Sequence, residues 1–227
     1  MNLFAGKNKK TVLLIGCSGV LGSKFVSTYK NTYKIIGVSR SGECTEGCSQ
    51  SFKCDISDIE DVGKLVDEIT KGKLVIDVVV HNAVRYDLVS VFEKKPEIYL
   101  QELKTSLVGP LELSNKILES IWLPDGAISN QKNNRSIINI TSGSGLGVIP
   151  NQGQSSYSAI KSALHMMTKH MSIEYAEYGV RVNAVAPGWL GDQPTLDTTV
   201  AEISKCIDDK FINGQIRATD GRNVQVL

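Results

Sequence analysis

Short unbroken apolar runs alternate along the chain with longer stretches whose apolar residues recur every three to four positions. The run Val12-Leu13-Leu14-Ile15 contains no polar residue, as a strand covered on both faces requires. It predicts a strand over Thr11 to Ile15 and a helix from about Val20 to Lys30. Tyr33 to Ser39, Ser51 to Asp55, Leu74 to Val80, Ser136 to Ile140, Val180 to Val185 and Gln215 to Ala218 read as further strands. Asp58 to Lys71 places Ile59, Val62, Leu65, Val66 and Ile69 at helical spacing, with Ser57 and Asp58 as cap candidates. Tyr99 to Trp122 reads as one long amphipathic helix kinked at Pro110. Ser156 to Tyr178 and Val200 to Phe211 read as helices, and the polar stretch 125–135 as a loop. This alternation predicts an α/β fold with a doubly wound parallel sheet and helices on both faces. No linker, repeat or low-complexity segment interrupts it, so one domain spans 1–227.

Composition narrows the function classes. A formal charge of +1 over 227 residues gives no general electrostatic reason to expect nucleic acid or an anionic membrane as partner. The cluster Lys7, Lys9, Lys10 reads as a solvated arm. No apolar run reaches the length of about 18 residues needed to span a bilayer, and the N-terminal stretch does not have the form of a signal peptide. A cytoplasmic protein is expected. The five cysteines, Cys17, Cys44, Cys48, Cys54 and Cys206, are expected as reduced thiols, because the count is odd and no export signal is seen. Their spacing matches no strong zinc pattern, so no metal is expected. His165 and His170 read as packing or surface residues.

Two local patterns carry chemistry. After the first strand comes Gly16-Cys17-Ser18-Gly19-Val20-Leu21-Gly22. Glycines at 16, 19 and 22 between strand and helix let backbone N–H groups approach a pyrophosphate at the helix N-terminus. The second strand ends in Ser39-Arg40-Ser41, with no carboxylate to repel a 2′-phosphate and a guanidinium to hold one. NADP(H) is therefore expected over NAD(H), which remains possible. Farther on, Tyr157 and Lys161 stand four residues apart, on one face if the run is helical. An ammonium beside a phenol stabilises the phenolate and fits it for proton transfer.

Taken together, these segments resemble the short-chain dehydrogenase/reductase family in its compact single-domain branch, from about Lys10 to the C-terminus. The resemblance rests on Ile137-Ile138-Asn139-Ile140-Thr141-Ser142, on Tyr157-Ser158-Ala159-Ile160-Lys161 and on Arg181-Val182-Asn183-Ala184-Val185-Ala186-Pro187-Gly188. It implies a Rossmann-like sheet, a short substrate loop at about 189–211, and hydride transfer between a nicotinamide and a small carbonyl or alcohol substrate. Tyr157 would be the general acid or base. Lys161 would tune it and hold the nicotinamide ribose. Ser142 would orient the substrate oxygen, with Ser144 as runner-up, and Ser106 would take the proton-relay position. The cofactor would be held by Gly16, Ser18, Gly19, Val20, Leu21, Gly22, Ser39, Arg40, Ser41, Asp55, Ile56, Asn82, Ala83, Tyr157, Lys161, Pro187, Gly188 and Leu190. Members pair through the two long helices, which implies a homodimer or homotetramer.

The chain departs from the family pattern at particular residues. The glycine spacing is that of the family's extended branch. Val84 stands in place of a glycine, Ser106 in place of the relay asparagine, and Asp192 in place of a threonine near the nicotinamide. Two other functions compete with carbonyl reduction: a cofactor-binding regulatory protein without turnover, and an epimerase or dehydratase that recycles its cofactor.

Overall fold

The computed structural model describes residues 9–85, 87–148 and 152–219, and the backbone of 224–226. Its eight-stranded sheet runs in the order β3-β2-β1-β4-β5-β6-β7-β8. The strands are β1 (Thr11–Ile15), β2 (Lys34–Ser39), β3 (Gln50–Lys53), β4 (Val78–His81), β5 (Ser136–Ile140), β6 (Arg181–Pro187), β7 (Ile216–Thr219) and β8 (Val224–Val226). The first seven are mutually parallel, and β8 closes the edge antiparallel to β7. The doubly wound Rossmann-like sheet is as expected. The antiparallel edge strand was not foreseen.

The apolar runs are apolar because both faces are covered. Along β1, Leu13 and Ile15 join a core with α2 (Ile59–Lys71) and α4 (Gly109–Ile117), while Val12 and Leu14 join another with α1 (Val20–Tyr29) and α8 (Gln193–Asp208). Trp122 is fully buried and donates its indole N–H to Ile76 O at 2.7 Å, which satisfies the one polar atom of a large apolar group.

Several boundaries differ from the expected ones. The helical run begins at Pro96 and continues as α3 (Pro96–Leu103), a π-helical segment Lys104–Val108, α4, a second π segment Leu118–Trp122 and α5 (Leu123–Asp125). Pro110 lacks the N–H that would continue the regular ladder. The chain absorbs the loss in the wider turn just before it, where Gly109 N–H reaches Lys104 O. Residues expected as loop include α6 (Ala127–Lys132), which starts after Gly126 turns the backbone at φ +81°. The last helix starts at Gln193 rather than about Val200, because the Asp192 carboxylate accepts Thr195 N–H at 2.8 Å as its N-cap. Strand β4 starts only at Val78, whereas Leu74 to Val80 was expected. Lys10 is only partly exposed: its Nζ donates to Ile207 O at 2.8 Å at the end of α8. Lys9 is exposed, and Lys7 lies outside the described residues.

Candidate active site

The sheet order reverses between β1 and β4, and in open α/β sheets the crevice beyond the carboxyl ends at that point takes the ligand. The end of β1 is built for it. Gly16 has φ +85°, and a Cβ there would lie 2.8 Å from Ala83 N. Gly16 N–H donates to Val38 O at 2.8 Å, and Asn82 Nδ2 donates to Gly16 O at 2.9 Å. Gly22 brings α1 against the turn, since a Cβ on it would stand 2.2 Å from Gly16 O. At Gly19 the nearest atom to an added Cβ is Gly16 O at 3.5 Å, so the protein's own packing does not demand glycine there. A group approaching the backbone from the crevice would. The first turn of α1 carries no acidic residue, which leaves its positive end uncompensated.

A cavity of about 300 Å³ opens beside this turn. Of the expected cofactor residues it is lined by Gly16, Ser18, Gly19, Ser39, Arg40, Asp55, Ile56, Asn82 and Ala83. Val84, the residue in place of a glycine, stands in the same wall. Arg85, Gln101 and Thr105 also line it and were missed by sequence reasoning, because α3 and the segment after β4 reach the cavity only through tertiary packing. Other expected residues lie elsewhere. Val20 is exposed and Leu21 is buried in the core with Phe25. The Ser41 hydroxyl accepts Glu43 N–H at 3.2 Å. Leu190 packs on the core under α8. Asp55, in the cavity wall, accepts from both the N–H and the hydroxyl of Ser57, at 2.9 and 2.7 Å. Pro187 ends β6 and Gly188 follows it, and Pro187 O would be 3.4 Å from a Cβ on Gly143.

The proton-transfer residues stand on the far side of β4. Helix α7 (Ser155–Glu174) carries Tyr157 and Lys161 one turn apart. Tyr157 is half-buried and does not line the cavity. Lys161 is buried, and its Nζ donates to Ile140 O at 2.8 Å and lies 5.7 Å from the centre of the Tyr157 ring. Burial pulls its ammonium down from 10.5 to about 8. Since Ile140 ends β5, the amine is fixed at the same sheet edge as the glycine turn, two strands away. That is roughly 10 Å by ordinary strand spacing, a separation a dinucleotide spans.

Ser142 caps the short turn Gly143–Gly145, its oxygen accepting Ser144 N–H at 3.1 Å. Ser144 donates to Gln154 Oε1 at 2.9 Å. Ser106 is buried in the first π segment, without a hydrogen-bond partner among the described residues. Asp192, in the position of a threonine near the nicotinamide, serves α8 as its cap. Beneath Tyr157 lies a network that sequence did not show. Lys94 Nζ meets Glu102 Oε1 at 2.9 Å and Ser156 Oγ at 2.6 Å, and Ser156 in turn bonds Glu102. Both ionised side chains are essentially sequestered from solvent, at 0% and 1% exposure. His165, one turn past Lys161, is buried, and burial followed by the Lys161 charge pushes it down to about 4, in keeping with a packing role. His81 is buried and shares a hydrogen bond with Ser114.

One expectation is overturned outright. Cys17 and Cys44 form a disulfide, whereas all five cysteines were expected as free thiols. Cys48, Cys54 and Cys206 are free. Glycine inside β2 was the available signal. A Cβ on Gly37 would lie 2.4 Å from Cys44 Sγ and 2.9 Å from Cys17 Sγ, and a glycine within a strand marks such a close approach.

Comparison with known proteins agrees with this geometry. The sequence profile of the short chain dehydrogenases matches residues 10–201. A 3-oxoacyl-[acyl-carrier-protein] reductase of Buchnera aphidicola subsp. Schizaphis graminum is 26% identical over 206 residues, covering 87% of this chain and 80% of that protein. The structure of 4-hydroxyisoleucine dehydrogenase complexed with NADH and succinate superposes with a TM-score of 0.81 at 23% identity, over 92% of this chain and 97% of that one. ElxO with NADP bound superposes with a TM-score of 0.77 at 24% identity, over 94% and 98%. The chain belongs to the short-chain dehydrogenase family of nicotinamide-dependent oxidoreductases.

Proposed function

We propose that the protein is an NADP(H)-dependent oxidoreductase that reduces a ketone or aldehyde to an alcohol, or runs the reverse. The observation that carries this reading is the buried Lys161 ammonium, tied to the end of β5 and facing the Tyr157 ring. A sequestered cation beside a half-exposed phenol is an arrangement for proton transfer. The fit to a dinucleotide comes from the glycine turn and the cavity beside it. When bound, the cofactor supplies or accepts the hydride at the substrate carbon.

Tyr157 donates the proton that the carbonyl oxygen gains, and takes it back in the reverse direction. Lys161 spends one N–H on Ile140 O, so its remaining N–H groups are left for a ribose hydroxyl and for the phenol oxygen. Of the two candidate serines, Ser144 has committed its proton to Gln154, whereas Ser142 only accepts from Ser144 N–H. Ser142 therefore keeps a donor for the substrate oxygen, where charge develops. Arg40, exposed at the cavity, supports a 2′-phosphate and hence NADPH. The named complexes of similar fold include both NADH and NADP.

The apolar hollow of about 380 Å³ between α3 and α7, lined by Leu100, Leu103, Ala159 and Ile160 among others, fits the helix pairing of a homodimer or homotetramer. Light scattering of the purified protein reports that state. The test of function is NADPH oxidation against a panel of ketones and aldehydes. Turnover with at least one class is expected. NADPH binding with no turnover anywhere would favour a binding protein. Substrate conversion without net NADPH consumption would favour an epimerase or dehydratase.

A further inference from the structure

We propose that the Cys17–Cys44 disulfide is a thiol-responsive latch on the adenosine end of the dinucleotide site, and that opening it weakens cofactor binding. The inference rests on the dinucleotide-binding reading above. Cys17 lies inside the glycine turn, and Cys44 lies in the loop that leaves β2 and returns as β3. Their Cα atoms are 5.5 Å apart, within the span a disulfide bridges. Gly37 leaves the two sulfurs the room that any side chain there would occupy.

A short chain of contacts leads from the bond to the cofactor-reading residue. Glu43 adjoins Cys44. Its carbonyl accepts the Ser39 hydroxyl at 2.7 Å, and its N–H donates to Ser41 Oγ at 3.2 Å. Ser39 and Ser41 bracket Arg40, so the sulfur bond fixes the backbone that presents the guanidinium to the cavity. Without the bond, the turn and the loop are joined through Thr45 Oγ1, which donates to Cys17 O at 3.2 Å and shares a hydrogen bond with the Ser23 hydroxyl at 2.7 Å. Neither sulfur lines the cavity, so the bond orders the site without obstructing it. Ordering before binding removes a cost that binding otherwise carries.

The two sulfurs differ in access. Cys17 is 0% exposed, while Cys44 is only partly covered. A low-molecular-weight thiolate attacks Cys44 Sγ, the Cys17–Cys44 bond breaks, and Cys17 leaves as a thiolate that takes up a proton. A second thiol attacks the external sulfur of the mixed disulfide and frees Cys44. The protein gains two electrons and two protons, and two small thiols become one small disulfide. Cys48 is a poor internal competitor, since burial raises its thiol above the ordinary range.

The test uses the full chain in its oxidised form, after dithiothreitol, and as Cys44→Ala. NADPH and NADH dissociation constants are read from nucleotide fluorescence, with intact mass giving the redox state. Oxidised protein should bind NADPH roughly fivefold tighter than reduced protein. Reduction should add the mass of two hydrogens, and Cys44→Ala should match the reduced form with no response to thiol. Equal constants for oxidised and reduced protein, or a bond that native-state thiol leaves intact, would overturn the latch alone. Binding of neither nucleotide by any form would overturn the dinucleotide reading and the latch with it.

Discussion

The two ends of the active-site crevice are built differently. At the adenosine end, the parts are fixed by backbone: Gly16 bonded to β2, Asn82 clamped on Gly16 O, and a disulfide tying the next loop to the turn. At the proposed carbonyl end, around Tyr157, the neighbouring segments 87–95, 146–148 and 189–192 carry exposed apolar side chains. Phe92 is 97% exposed, Val148 90% and Trp189 76%. The difference teaches that the glycine turn is held by backbone and sulfur bonds, whereas the surroundings of Tyr157 leave apolar side chains uncovered. The one ion pair among the described residues whose two side chains are both essentially unexposed, Lys94–Glu102, lies on that side of the molecule and joins the segment after β4 to the start of α7 through Ser156.

Breaking that ion pair should have the largest effect on this contrast. Glu102→Ala leaves the Lys94 ammonium buried and removes the acceptor for Asp87 N–H and Ser156. A loss of about 3–5 kcal/mol is expected from denaturant melts. Replacing both partners, as in Lys94→Met with Glu102→Leu, should recover part of it. If the carbonyl end alone depends on the pair, turnover should fall in the double variant while NADPH affinity stays close to wild type.

A smaller effect sharpens the adenosine end. Arg40→Asp puts a carboxylate where a 2′-phosphate is expected. The KM for NADPH should rise about 10- to 100-fold, with that for NADH changing little. An equal change for both nucleotides would remove Arg40 from cofactor selection.

The smallest effect is read in pH. Lys161 titrates near 8 in the folded protein, below its ordinary 10.5. Cofactor association that needs the ammonium should therefore weaken above about pH 8. Lys161→Arg, which keeps its charge, should shift that limb upward. The stability consequence has the opposite sign. Between about 8 and 10.5 the unfolded chain binds the proton more readily than the folded one, so the burial cost is relieved and stability rises with pH over that window.

The legible parts of this molecule are those that local pattern dictates. Strand β1 is continuous in apolar residues because it is central and doubly covered. Tyr157 and Lys161 are readable because one helical turn suffices to bring them together. The glycine turn is readable because backbone geometry demands its residue type. What stayed hidden depends on contacts distant in sequence. A glycine within β2 marks a close approach but does not name Cys17 and Cys44, 27 residues apart, as the groups that approach, and Glu102 looks like any polar residue on an amphipathic helix until Lys94 and Ser156 fold over it. Asp192 was open to reading as a helix cap, with Thr195 three residues on, but its family position drew attention to the nicotinamide instead. The segmentation of the long helix goes with two prolines, Pro110 and Pro124, each shortly after a π segment, and the sequence marks a proline as a kink but not as a π turn.

The central claim is that Tyr157 delivers a proton to a substrate oxygen beside a bound nicotinamide. The most direct measurement is single-turnover transfer of deuterium from 4-deuterated NADPH to an accepted carbonyl substrate, in wild type and Tyr157→Phe, with nucleotide affinity taken on the same samples. The account predicts that transfer slows by at least about 100-fold in the variant while NADPH affinity changes less than about threefold. Transfer at the wild-type rate in Tyr157→Phe would contradict it.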